Sequence, residues 1–155
     1  MKEISLDATD KLILNIVQED ATLSVQEIAD KVHLTVSPCW RRIQNLEANG
    51  YIRKRVALLN RERLNLGIDV FVFIKTNEHN DHWLETFHAA IQSIPEICEA
   101  YRMSGDVDYL LRVVVANIQD YDAFYKRLVS KVKLSDVSSS FAMERMKYTT
   151  ALPIS

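Results

Sequence analysis

The chain has 155 residues, enough for one ordinary domain or two small ones, and 48% of them are apolar, which excludes wholesale disorder. No apolar run approaches the ~20 residues of a membrane span, and the opening M-K-E-I-S-L-D lacks the apolar stretch of a signal peptide, so a cytoplasmic chain without a membrane partner is expected. The net charge of −2 is unevenly spread: seven Lys/Arg stand against two acids between Arg41 and Arg63, with acidic segments on either side. Such a local basic patch suits one docking face for a polyanion.

Asp7 is a good N-cap for a first helix, in which Leu12, Ile13, Ile16 and Val17 form one apolar stripe. Ser24 and Glu27 have the spacing of a capping box, and Ile28, Ala29 and Val32 make the apolar side of the short second helix that follows. His33 and Leu34 form a turn. Thr35 caps a third helix, Pro38 falls in its first turn, and Gly50 closes it. A step of about 100° per residue gathers Val36, Cys39, Ile43 and Leu46 in one sector. It turns Ser37, Pro38, Arg41, Gln44 and Asn45 to the opposite side, with Arg42 on the flank.

Two short helices joined by a tight turn, the second presenting such residues outward, meet the requirements of a helix-turn-helix. Arg can bond a guanine edge through two donors, Asn and Gln can do the same for adenine, and Ser or Thr can bond phosphates. Arg41 is therefore expected at bases and Arg42 at a flank or a phosphate. Residues 56–59 read as a short strand, and Arg53, Lys54 and Arg55 are expected to hold backbone phosphates like a wing.

A polar connector, N-R-E-R-L-N-L-G, then leads to I-D-V-F-V-F-I-K, a β-branched and aromatic strand. Asn80 or Asp81 caps a helix with Trp83, Phe87, Ala90, Ile91 and Ile94 on its apolar side, and Pro95 ends it. Residues 97–103 and 108–116 are two strands around a tight turn at Gly105-Asp106. A further helix carries Ile118, Tyr121, Phe124, Tyr125, Leu128, Val129 and Val132, and residues 137–147 form a last strand. The order is β-α-β-β-α-β, a split ferredoxin-like unit with both helices on one face of an antiparallel sheet. The fold class is thus α+β: a winged helix-turn-helix at 1–60, a linker at 61–67 and a ferredoxin-like effector and oligomerisation domain at 68–155. The first strand is apolar on both faces, where a sheet with one wet face would alternate. The economical cover for the second face is the same sheet of another subunit, so a homo-oligomer is expected.

Glycine occurs only at positions 50, 67 and 105, so no Gly-rich phosphate loop or dinucleotide fingerprint is present and no cofactor is expected. His79, His82, His88 and Glu85 surround a helix start without the spacing of a metal site. Asp106 and Asp108 read first as hairpin and surface charges. Cys39 and Cys98 follow no ligand spacing and read as reduced thiols. No enzyme is expected. The competing reading is a stand-alone amino-acid-binding or enzymatic ferredoxin-like module whose N-terminal domain serves only assembly. Such a module has no need of the basic segment 41–63.

Four stretches carry a family resemblance: L-D-x-x-D-x-x-I-L at 6–14, S-P-C-W-R-R-I-x-x-L-E-x-x-G-x-I at 37–52, A-L-L-N at 57–60 and M-S-G-D-V-D-Y-L-L at 103–111. The chain resembles, nearly end to end, the Lrp/AsnC family of transcription factors, the leucine-responsive and asparagine-synthesis regulators. The resemblance implies a DNA-binding regulator of amino-acid metabolism that dimerises through its sheet and assembles into tetramers, octamers or hexadecamers. It also implies an amino-acid effector bound between dimers. The matching positions here are Gly105, Asp106, Val107, Asp108 and Tyr109 with Ser139, which stands where many members have threonine.

Overall fold

The computed structural model describes residues 5–155; residues 1–4, which begin the stretch read as lacking a signal peptide, lie outside the described residues. Caps set the first three helices. In α1 (Ala8–Glu19) the Asp7 carboxylate accepts from the Asp10 amide and the Asp10 carboxylate from the Asp7 amide. In α2 (Val25–Lys31) Ser24 and Glu27 form the expected capping box. His33 takes the left-handed conformation (φ 54°), and the Leu34 amide returns to the Ala29 carbonyl at 2.9 Å, which closes the tight turn. In α3 (Val36–Ala48) the chain leaves through Gly50 at φ 77°, with the Tyr51 amide on the Leu46 carbonyl and the Gly50 amide on the Glu47 carbonyl. This double return needs a left-handed residue, which glycine adopts without strain. Ile13, Leu14, Val17, Ile28, Ala29, Val32, Cys39, Ile43 and Leu46 bury together as one core.

The remaining elements are β1 (Ile68–Lys75), α4 (Asp81–Ser93), β2 (Ile97–Arg102), β3 (Tyr109–Val115), α5 (Ile118–Lys131) and β4 (Asp136–Phe141). They form an antiparallel sheet in the order β2-β3-β1-β4. The alternate residues Val70, Val72 and Ile74 of β1 and Leu111, Val113 and Val115 of β3 are buried with Trp83, Phe87, Phe124 and Leu128 of the two helices. The other face carries Phe71, Phe73, Leu110 and Val114, all half-buried, and a charged chain across it. There Asp69 bonds both Arg61 and Arg112, and Arg112 bonds Glu99.

Two expectations differ from the structure. Residues 56–59 form no strand, and Val56, Leu58 and Leu59 stand 61%, 62% and 72% exposed. A β-prone run becomes a strand only where a neighbour accepts its ladder, and none does so among the described residues. The last strand ends at Phe141, because its partner β1 begins at Ile68 and offers nothing to pair beyond the Ala142–Asp69 bond. The chain divides into Met1–Leu58 with Lys147–Ser155, and Leu59–Met146, so the tail folds back onto the helix-turn-helix. There the Gln18 side chain bonds the Leu152 backbone twice, accepting from its amide at 2.8 Å and donating to its carbonyl at 3.0 Å, and Ile154 packs on the core.

Candidate nucleic-acid interface and effector hairpin

The outer face of α3 presents Ser37, Arg41 and Gln44, all exposed; Arg41 makes no ion pair among the described residues, and the Gln44 amide donates to Glu47 Oε2 at 3.2 Å. Thr35, the N-cap, forms no side-chain capping bond, so its hydroxyl stays available for a phosphate. Pro38 is half-buried beneath the first turn, and Asn45 is exposed beside a small recess of about 190 Å³ that Asp10, Arg42 and Tyr51 also line. Arg53 and Lys54 are exposed and make no ion pair among the described residues.

Besides Arg61 on Asp69, two more arginines of the basic segment are engaged internally. Arg42 Nη1 donates to Asp7 Oδ2 and Asp10 Oδ1, both at 2.7 Å, and so ties α3 to the start of α1. The bond from the Asp10 amide, and after it the Arg42 guanidinium, holds the Asp7 carboxyl below the usual carboxylate range. The Asp10 and Asp7 carboxylates in turn push the Arg42 guanidinium up. Arg55 folds back onto Glu47 at 2.8 Å. Wheel position gave Arg42 a flank but not its partners, which lie more than thirty positions earlier in the chain. Beneath this face, burial raises the Cys39 thiol, so it is a packing group rather than a reactive one. Trp40 stands in the S-P-C-W-R-R-I stretch, but the sequence reading gives it no role. It is 52% exposed on α3, and its signal was a large aromatic residue outside the apolar sector.

In the second unit the hairpin between β2 and β3 is held by the Met103 amide on the Asp108 carbonyl (2.8 Å) and the Asp108 amide on the Ile74 carbonyl (2.9 Å). Asp108 Oδ2 also accepts from the Thr76 amide at 2.8 Å, so this carboxylate fastens the hairpin to the end of β1. Gly105 has φ 120°, a backbone that side-chain-bearing residues rarely adopt, and no atom stands within 4 Å of where a Cβ would sit. Asp106 is exposed beside it, and Val107 is half-buried. Tyr109 turns inward against Phe87, with ring centroids 4.5 Å apart. Ser139 lies on β4, with its hydroxyl on that of Tyr121. Since β1 stands between β3 and β4, one protomer brings Asp106, Asp108 and Tyr109 together but leaves Ser139 on the far edge. Among the described residues His79, His82, His88 and Glu85 form no group able to hold a metal. No described helix is long and apolar enough to cross a membrane.

A capped three-helix unit with an open, polar recognition helix, joined to a ferredoxin-like sheet, defines a two-module DNA-binding regulator. Residues 6–53 match the winged helix-turn-helix DNA-binding family, and residues 69–152 match the Lrp/AsnC ligand binding domain. The chain belongs to the Lrp/AsnC family of transcription regulators. It is 49% identical over 150 residues to the DNA-binding transcriptional activator DecR of Escherichia coli, covering 96% of this chain and 99% of that one. A solved AsnC family transcriptional regulator from Agrobacterium tumefaciens is 55% identical with a TM-score of 0.93, over 96% of this chain and 97% of that one. A transcriptional regulator from Neisseria meningitidis, solved as a complex with L-Met, is 35% identical with a TM-score of 0.92, again over 96% and 97%.

Proposed function

We propose that this transcription regulator reads its operator with the outer face of α3 and is modulated by a free amino acid. The observation that carries the reading is the division of labour among the arginines. Arg42 and Arg55 are neutralised within the protein, while Arg41, beside Ser37 and Gln44 on one open face, has no ion-pair partner among the described residues. An unpaired arginine on a groove-entering helix is placed to bond guanine O6 and N7. Arg53 and Lys54 hold phosphates, and Thr35 adds a hydroxyl to them. The protein acts where the chromosome is, in the cytoplasm, and is not an enzyme.

The effector reading rests on the L-Met found in the Neisseria neighbour and on the exposed hairpin here. Gly105 lets backbone amides approach a ligand carboxylate, and Asp106 offers a charge to its ammonium group. Ser139 stands across the sheet, so a ligand touching both it and the hairpin needs two chains. The half-buried apolar face of β1 and β3 supplies the dimer contact, and dimers assemble into tetramers or octamers. A site shared between subunits lets a small ligand bias assembly.

The test is operator selection from a random duplex pool, then titration with and without each common amino acid. Arg41→Ala should lose roughly 1–3 kcal/mol of discrimination at one base step. Lys54→Ala should weaken all sequences equally and flatten the salt dependence. Unchanged operator preference in Arg41→Ala refutes the assignment of α3. No binding or mobility change with any amino acid at millimolar concentration leaves a constitutive regulator.

A further inference from the structure

The chain has two tryptophans, and they live in opposite surroundings. Trp83 is 4% exposed, stacks on Phe87 and donates its indole N–H to the Lys133 carbonyl at 2.8 Å. Trp40 is 52% exposed, and among the described residues its N–H has no acceptor and its ring no aromatic neighbour. Val36, one turn earlier on the same side of α3, is 40% exposed. Leaving half of an indole in water forgoes about half of the roughly 150–250 Å² that an aromatic ring can bury. The edge of α3 that Arg42 occupies is closed by the two carboxylates of α1. At about 100° per residue the strip left open runs from Arg41 through Ser37 and Gln44 to Trp40 and Val36. The apolar patch is therefore continuous with the polar recognition strip.

We propose that Trp40, with Val36 beside it, is a specificity-determining contact that packs on the C5-methyl group of thymine in the major groove. The inference rests on α3 being the groove-entering helix. Thymine is the base that presents an apolar group on that edge, and a side chain with exposed hydrocarbon complements a methyl where Arg and Gln complement acceptors and donors. Arg41 and Gln44 recognise purine edges; neither offers an apolar surface to a thymine methyl. Trp40 adds discrimination of thymine from cytosine at an adjoining step.

The experiment uses the full chain and an operator selected from a random pool, with each thymine replaced in turn by uracil, which lacks only the methyl. The wild type should lose about fourfold in affinity at one or two thymines of each half-site, the worth of one buried methyl. Trp40→Ala should bind the unmodified operator more weakly and become indifferent to uracil at those same positions. Trp40→Phe should keep part of the sensitivity. Operator DNA should also quench the emission of the exposed indole, a signal absent from Trp40→Phe. Unaltered uracil sensitivity in Trp40→Ala overturns the proposal. So does a Trp40→Ala protein whose mass in light scattering falls without DNA while its uracil pattern stays, because Trp40 is then a contact between copies. Arg41→Ala separates the levels. If it shifts base preference while Trp40→Ala does not, only the thymine contact fails. If neither shifts any preference, the reading of α3 fails with it.

Discussion

The buried core of the ferredoxin-like unit contains Trp83, Phe87 and Phe124, whereas that of the helix-turn-helix unit contains no aromatic residue among those described and closes on Ile13, Ile28, Ile43 and Leu46. The two units hold themselves together differently as a result. The first gains from large rings stacked between helices and sheet. The second supplements a small aliphatic core with reciprocal caps on α1 and α2, the Arg42 link from α3 to α1, and a tail that arrives from the far end of the chain. A large loss should follow from one truncation in the first kind of core. Smaller losses, spread over polar and terminal contacts, should follow in the second.

Phe87→Ala is the strongest way to test that contrast. The ring is fully buried and lies against Trp83 at 4.9 Å and Tyr109 at 4.5 Å. Its removal should cost about 3–5 kcal/mol in the ferredoxin-like unit. Regional hydrogen exchange should show β1 and β3 losing protection while α1 to α3 keep theirs. Equal loss throughout would mean that the two units unfold as one and would break the comparison.

Ile154→Ala sharpens it from the other side. Ile154 is half-buried on the helix-turn-helix core, so truncation should cost about 1–2 kcal/mol and should be felt in α1, well over a hundred residues earlier. Protection lost in β4 instead of α1 would show that the tail supports the other unit. Gln18→Ala should act in the same direction and less strongly, since it removes two half-exposed hydrogen bonds to the tail and one to Asn15 within α1.

What could be read along the chain was local. Ser24 with Glu27, Gly50 after the third helix and Gly105-Asp106 in the hairpin each specify a turn or cap within a few residues, and each appears where expected. The buried positions Cys39, Ile43 and Leu46 of α3 and those of α4 and β1 followed from periodicity for the same reason, while Val36 of the same α3 sector stands exposed. Contacts made at long range were not legible. Periodicity turns Arg42 to a flank without naming Asp7 and Asp10, and nothing near Leu152 announces Gln18. Residues 56–59 have the side chains of a strand, but pairing is a property of a neighbour and cannot be read from the run itself. Ser139 was grouped with the hairpin by resemblance alone, while strand order sets it apart within one protomer.

The smallest expected effect is one of pH, and it too divides the units. Among the described residues of the helix-turn-helix unit, three carboxyls are held below their usual range. Asp7 is lowered first by the Asp10 amide, Asp20 by the Thr22 hydroxyl and Glu27 by the Ser24 hydroxyl. In the other unit, among the described residues, only Glu99 is lowered, first by the Tyr101 hydroxyl and then by Arg112. A carboxyl whose folded pKa lies below its unfolded value adds stability above the unfolded value, and that stability is lost as pH falls through the folded value. The helix-turn-helix unit should therefore be insensitive to pH near neutrality and lose stability below about pH 4, more steeply than its neighbour. Asp7→Asn isolates the contribution. Asparagine is as good an N-cap as aspartate, so the stability that remains in acid should change little, while the part contributed at pH 7 by the charge that Arg42 and the helix start favour is lost. The acid-induced loss of α1 protection should become shallower, and added salt should shrink the difference from wild type because the group is exposed. An acid limb of unchanged steepness in Asp7→Asn at low salt would remove Asp7 from the list of its causes and leave Asp20 and Glu27 to account for it.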